Sequence, residues 1–154
     1  PDMYQLIIDY QYPKLAKVLK IEPVHVVDFL KLAVLSIDGT LGYGGEYIVY
    51  NPDHVVLNMR RCEVLQRYTD EGLYPPARAW MNCTFEQRIS APFFPGCKLA
   101  INLPPKDFKF AQGEPFCVWT YTRGEENHAA AEAAPDPRAT AMERIPLMDV
   151  TVTK

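Results

Sequence analysis

The chain has 154 residues, 48 % of them hydrophobic and 23 % charged, with a formal net charge of −3. That size and balance suit one globular domain with a single sizeable core. A weakly negative chain lacks the clustered Lys and Arg on which nucleic-acid binding relies, and no apolar run approaches the roughly 18 to 20 residues that cross a bilayer. Neither nucleic acid nor membrane is therefore expected as a partner.

From Asp2 to about Ile21, the stripe Leu6, Ile7, Tyr10, Lys14, Leu15, Val18 and Leu19 follows the helical period, with Pro13 placed to kink or split the helix. A second helix is expected from Pro23 to the glycine cluster; it is apolar on more than one face, which predicts deep packing. Gly39, Gly42, Gly44 and Gly45 form a loop. Strands Glu46 to Tyr50 and His54 to Cys62 follow, joined by the turn Asn51-Pro52-Asp53. Glu63 to Glu71 reads as a helix closed by Gly72, and Ala77 to about Ile89 as another, carrying Trp80, Cys83 and Phe85.

The next stretch organises the rest. In Cys97 to Leu103, alternation puts Cys97, Leu99, Ile101 and Leu103 on one face and Lys98, Ala100 and Asn102 on the other. In Pro115 to Thr122, Cys117, Trp119 and Tyr121 oppose Phe116, Val118 and Thr120. Two helices, a hairpin, two helices and a strand pair make an α+β fold: a mostly antiparallel sheet of about four strands, with N-terminal and inserted helices on one side. Residues 1–122 are read as that domain. Residues 123–154, rich in Ala and Pro, are read as a C-terminal extension and interaction arm, with one or two helical turns from His128 to Ala134.

Candidate chemistry centres on Arg60-Arg61-Cys62. Strand alternation places Arg60, Cys62 and Asn58 on one face and Arg61 on the other, so a guanidinium would stand beside a thiol to bind carboxylate and lower the thiol pKa. The bland alternative is an edge arginine above a core cysteine. The cysteines, Cys62, Cys83, Cys97 and Cys117, show no C-x-x-C spacing. No cofactor is expected, and zinc or iron at these cysteines is the minority reading. With no secretory signal in view, reduced thiols in a cytoplasmic protein are expected. His25, His54 and His128 share no metal-ligand spacing, and the sequence selects none of them. Ser36-Ile37-Asp38-Gly39-Thr40 lacks the first Asp that a haloacid-dehalogenase-type phosphatase uses as nucleophile, so it is read as a helix end entering a loop.

Arg61-Cys62 with Gln66, then Cys83, Pro104-Pro105-Lys106-Asp107 and Phe116-Cys117-Val118-Trp119 occur in an order that resembles the L-2-amino-thiazoline-4-carboxylic acid hydrolase-like family, relatives of 4-vinyl-reductase-type α+β domains. The resemblance spans roughly residues 13–122. It implies hydrolysis of a C–N bond in a small carboxylate-bearing substrate. Cys62 and Arg60 would be catalytic, while Arg61, Cys117, Trp119 and Asp107 would bind the substrate. The alternative is a small accessory subunit held on a larger enzyme subunit by its C-terminal arm. Either way, an oligomer is expected.

Overall fold

A computed structural model of the chain describes residues 6–36, 43–74, 96–105, 107–109, 116–139 and 142–144. The expected helix over Ala77 to Ile89, with Cys83, lies outside them. The N-terminal helix is split at its proline: a π-helical turn, Ile7–Gln11, runs into α1, Tyr12–Leu19. Pro13 has no N–H to give, and its ring crowds the carbonyl one turn earlier, so the preceding turn widens. Lys20 ends α1 in the left-handed region (φ 55°), and the Ile21 N–H donates to the Ala16 carbonyl at 3.0 Å.

Helix α2, Val26–Leu35, starts after an extended His25. Asp28 reaches back to accept the His25 N–H at 3.0 Å, while Asp53, from another part of the chain, accepts the Val26 N–H at 3.1 Å. Deep packing is not what results. Val26, Phe29, Leu30 and Leu32 are buried, but Val34 and Leu35 are about half exposed, so α2 buries one face only.

Among the described residues the sheet has five antiparallel strands: β1 (Tyr43–Asn51), β2 (His54–Cys62), β3 (Cys97–Leu103), β4 (Cys117–Arg123) and the two-residue β5 (Glu143–Arg144), in spatial order β1-β2-β4-β3-β5. In the β1–β2 turn the Asp53 N–H donates to Asn51 Oδ1 at 2.9 Å, the side-chain turn that Asn-Pro-Asp favours. Helix α3, Glu63–Asp70, follows β2 and closes at Gly72.

Each face of the sheet has its own cover. On the first, Val55, Leu57 and Met59 of β2, Cys97, Leu99, Ile101 and Leu103 of β3, and Cys117 and Tyr121 of β4 join Tyr12, Phe29, Leu32 and Leu65 from the helices in one core. Tyr12 meets Phe29 edge-on at 5.6 Å between ring centres. The alternation expected for β3 is the alternation found; in β4, Cys117, Trp119 and Tyr121 face this core and Val118 the other side, but Phe116, expected opposite Cys117, joins the same core because it precedes the paired residues of the strand. The second face is covered by residues 124–139 of the segment read as an arm, whose last residues, 145–154, lie outside the described ones. Gly124, at φ 86°, turns the chain back on β4, and α4, Glu125–Ala133, lies over the sheet. Beyond Pro135, Ala139 packs with Val56 and Val118. Composition made this segment look independent because α4 is mostly alanine and glutamate; its partner surface, the back of β2 and β4, becomes visible only once the sheet is assembled.

A bulge corrects the reading of the Arg-Arg-Cys stretch. Gly44 pairs with Arg61 and Gly45 with Met59, leaving Arg60 as an extra residue. Alternation is broken there, so Cys62 joins Met59 in the core while Arg60 stays exposed. Gly45 accommodates the close approach: a Cβ on it would lie 2.3 Å from the Asn58 carbonyl oxygen. Gly45→Ala is expected to lower stability by about 1–3 kcal/mol through overpacking, read as a shift of the urea midpoint; an unshifted midpoint would mean that the bulge relaxes freely.

Candidate functional site

The six residues singled out from the sequence do not form one site. Cys62 is buried at 7 % exposure, and its sulfur accepts the Leu65 N–H at 3.4 Å, capping α3. Burial pushes its thiol above the ordinary cysteine value, although the backbone N–H groups around it pull the other way. Arg60 instead pairs at the surface with Glu46 at 3.0 Å. Arg61 is exposed, Cys117 is a core residue, and Asp107 is exposed in the β3–β4 connection. Trp119 packs partly buried against the first-face core, with its Nε1 buried and without a hydrogen-bond partner among the described residues. Cys62, Cys97 and Cys117 are unbridged, and among the described residues no cluster of His, Cys, Asp or Glu is placed to hold a metal ion.

The second face does concentrate polar groups. Antiparallel register places His54 opposite Thr122 and Thr122 opposite Lys98, a row across the three central strands β2, β4 and β3. Directly paired residues of this kind have Cβ atoms about 5 Å apart. The next row is Val56, Thr120 and Ala100. Helix α4 lays His128 over the first row, and Thr122 Oγ1 lies 2.7 Å from His128 Nδ1. Between the sheet, α4 and the chain after Pro135 is a pocket of about 480 Å³, lined among others by His54, Lys98, Asn102, Thr120, Thr122 and His128. Its size lies within the range of small-molecule sites. None of the six expected residues lines it.

Four contacts hold this roof in place. Asn127 Nδ2 donates to the Arg123 carbonyl at 2.8 Å, and Asn51 Nδ2 donates to Asn127 Oδ1 at 2.8 Å, fixing the first turn of α4. Arg138 grips the buried Asp136 through Nε at 2.8 Å and Nη2 at 2.6 Å. Its guanidinium also reaches the sheet, where Asn58, with its amide oxygen turned toward it, accepts at 2.7 and 3.0 Å. The Arg138 hydrogen bonds hold the Asp136 carboxyl below its ordinary value, against the opposing effect of burial. That carboxylate is therefore occupied with structure.

His54 is the exceptional group. It is 8 % exposed and makes no hydrogen bond among the described residues; its ring stacks on Tyr50 at 4.7 Å. Burial alone drives its pKa below the ordinary histidine value. A histidine–carboxylate contact, His25 Nδ1 to Asp53 Oδ2 at 2.8 Å, lies apart from the pocket, is joined by Arg123 and serves the start of α2.

No protein-family model, curated protein or solved structure matches the chain. Sequence reasoning missed His54, Thr122 and His128 as a group. The available signal was the polar alternation Lys98–Asn102 and Thr120–Thr122, which marked a second face needing cover.

A histidine with a depressed folded pKa contributes stability that is full above its unfolded value, near 6.5, and declines as pH falls through that value toward the folded one. Urea midpoints should therefore drop between about pH 7 and pH 5. His54→Gln should flatten that slope, whereas an identical slope in the variant would assign the dependence elsewhere.

Proposed function

We propose that the chain binds a small carboxylate-bearing substrate in the pocket beneath α4 and hydrolyses a C–N bond in it. The observation that carries this reading is the His54 imidazole, which lines the pocket with no hydrogen bond among the described residues, so that its ring nitrogens are open to a ligand. Lys98 supplies a cation at the pocket for the carboxylate, and Asn102 and Thr120 supply further polar groups on the same face. The substrate class is carried over from the resemblance, although Asp107, Cys117 and Trp119 do not line the pocket, and the chemistry moves from Cys62 to the opposite side of the sheet. Unbridged, buried cysteines support a reducing compartment, the cytoplasm.

A second reading, an accessory subunit in a larger complex, is favoured by exposed apolar side chains on the N-terminal helices: Tyr10 at 67 %, Val18 at 69 % and Val34 at 48 %. Native mass spectrometry of the gently isolated protein separates a homo-oligomer from a heteromeric assembly.

The direct test uses 2-amino-thiazoline-4-carboxylate, the substrate class that the resemblance implies. Histidine ring resonances of His54 should shift on titration, and Lys98→Met should weaken binding by about tenfold or more. Cys62→Ser should leave binding and turnover in place. Complete loss of turnover in a folded Cys62→Ser variant would return the chemistry to the thiol, and absence of any His54 shift with 2-amino-thiazoline-4-carboxylate would remove the pocket reading.

A further inference from the structure

Thr122 and His128 have the relation of a nucleophile to its base. The hydroxyl oxygen and Nδ1 are 2.7 Å apart, both residues are buried and both line the pocket. With His128 in the tautomer that carries its proton on Nε2, the Thr122 hydroxyl donates to Nδ1. Such an arrangement activates a hydroxyl that is a weak nucleophile by itself. Thr122 is also the middle residue of the cross-strand row, with Lys98 on one side and His54 on the other. A substrate whose carboxylate rests on Lys98 therefore extends over Thr122 toward His54.

Resting on the pocket reading, we infer that Thr122 is a catalytic nucleophile, His128 its general base, and a small carboxylate-bearing amide the substrate class. Thr122 Oγ attacks the amide carbonyl carbon as its proton passes to His128 Nδ1. The C–N bond then breaks, the same proton leaves with the departing nitrogen, and an ester remains on Thr122. Water attacks that ester carbon, giving a proton to His128, which returns it to Thr122 Oγ as the carboxylic acid departs. Neutral His54, on the far side of Thr122 from Lys98, carries an N–H able to polarise the carbonyl oxygen. Asn127 is a positioning residue: through Arg123 and Asn51 it fixes the turn of α4 that carries His128.

The contact also ties α4 to the sheet, and a tether alone predicts no covalent chemistry. The probe is p-nitrophenyl acetate, followed by intact mass and peptide mapping of the full chain. Wild-type protein should gain one acetyl group on Thr122, Thr122→Ser should retain it on the serine, and Thr122→Val should lose it. His128→Gln should slow acylation by about 10²-fold or more. Should Thr122→Val fail to fold, Thr122→Ser and His128→Gln still decide the matter. Acylation absent from Thr122 in wild type, or unaffected in His128→Gln, overturns the dyad. If the His54 resonance still responds to 2-amino-thiazoline-4-carboxylate in that case, the pocket reading survives without it; if that response is also absent, both fall.

Discussion

The Asp53 carboxylate is the point on which the relative placement of helix, hairpin and sheet depends. It sits at the tip of the β1–β2 turn, where Oδ1 accepts the Val26 N–H and pairs with Arg123 Nε at 3.1 Å, and Oδ2 lies 2.8 Å from His25 Nδ1. Its own carbonyl accepts the Arg123 N–H at 2.9 Å, and the neighbouring Pro52 carbonyl accepts the Val27 N–H at 3.1 Å. A negative charge at a helix start is favoured by the orphan N–H groups there and by the helix dipole. Burial works against the ionised form, but the His25 and Val26 contacts and the Arg123 charge prevail and hold the Asp53 carboxyl below its ordinary value. One turn thus locks α2 onto the first face and the end of β4 into register beside β2.

Register at that end of the sheet decides what the second face presents. His54, Thr122 and Lys98 fall in one row, and Gly124 folds the chain back immediately afterwards. Helix α4, with the sequence Glu-Glu-Asn-His-Ala-Ala-Ala-Glu-Ala, offers the sheet few large side chains. Interiors are normally packed to near-crystalline density; a roof of alanines over threonines leaves space instead. The pocket is a consequence of that mismatch, and the Arg138–Asp136–Asn58 network keeps the roof from collapsing onto the floor.

The same geometry separates inert nucleophiles from a usable one. Thiols react as thiolates, in electropositive and accessible surroundings. Cys62 lies in the core as the cap of α3, and burial raises the Cys97 thiol to about 11 even with Arg123 nearby. Thr122 is a poorer nucleophile in isolation, yet it has a base at hydrogen-bonding distance and a pocket in front of it. Placement, more than intrinsic reactivity, distinguishes the two sides of the sheet.

Period and punctuation in the chain determined the α+β class, the break at Pro13, the hairpin around Asn51-Pro52-Asp53, the closure of α3 at Gly72 and the inward faces of β3 and β4. These are local properties: two-residue alternation, a missing N–H, a turn side chain and a favoured left-handed glycine each act within a few residues. Tertiary structure alone decided which strands are neighbours, and so that His54, Thr122 and Lys98, far apart in sequence, share a row. It also moved Cys62 away from Arg60, because a bulge opposite Gly44-Gly45 depends on a partner strand and leaves no mark in the period of β2. Finally, it turned a segment that composition assigned to an arm into a second cover for the sheet: an alanine-rich helix has too little apolar surface to declare a partner, and only the assembled back of β2 and β4 supplies one.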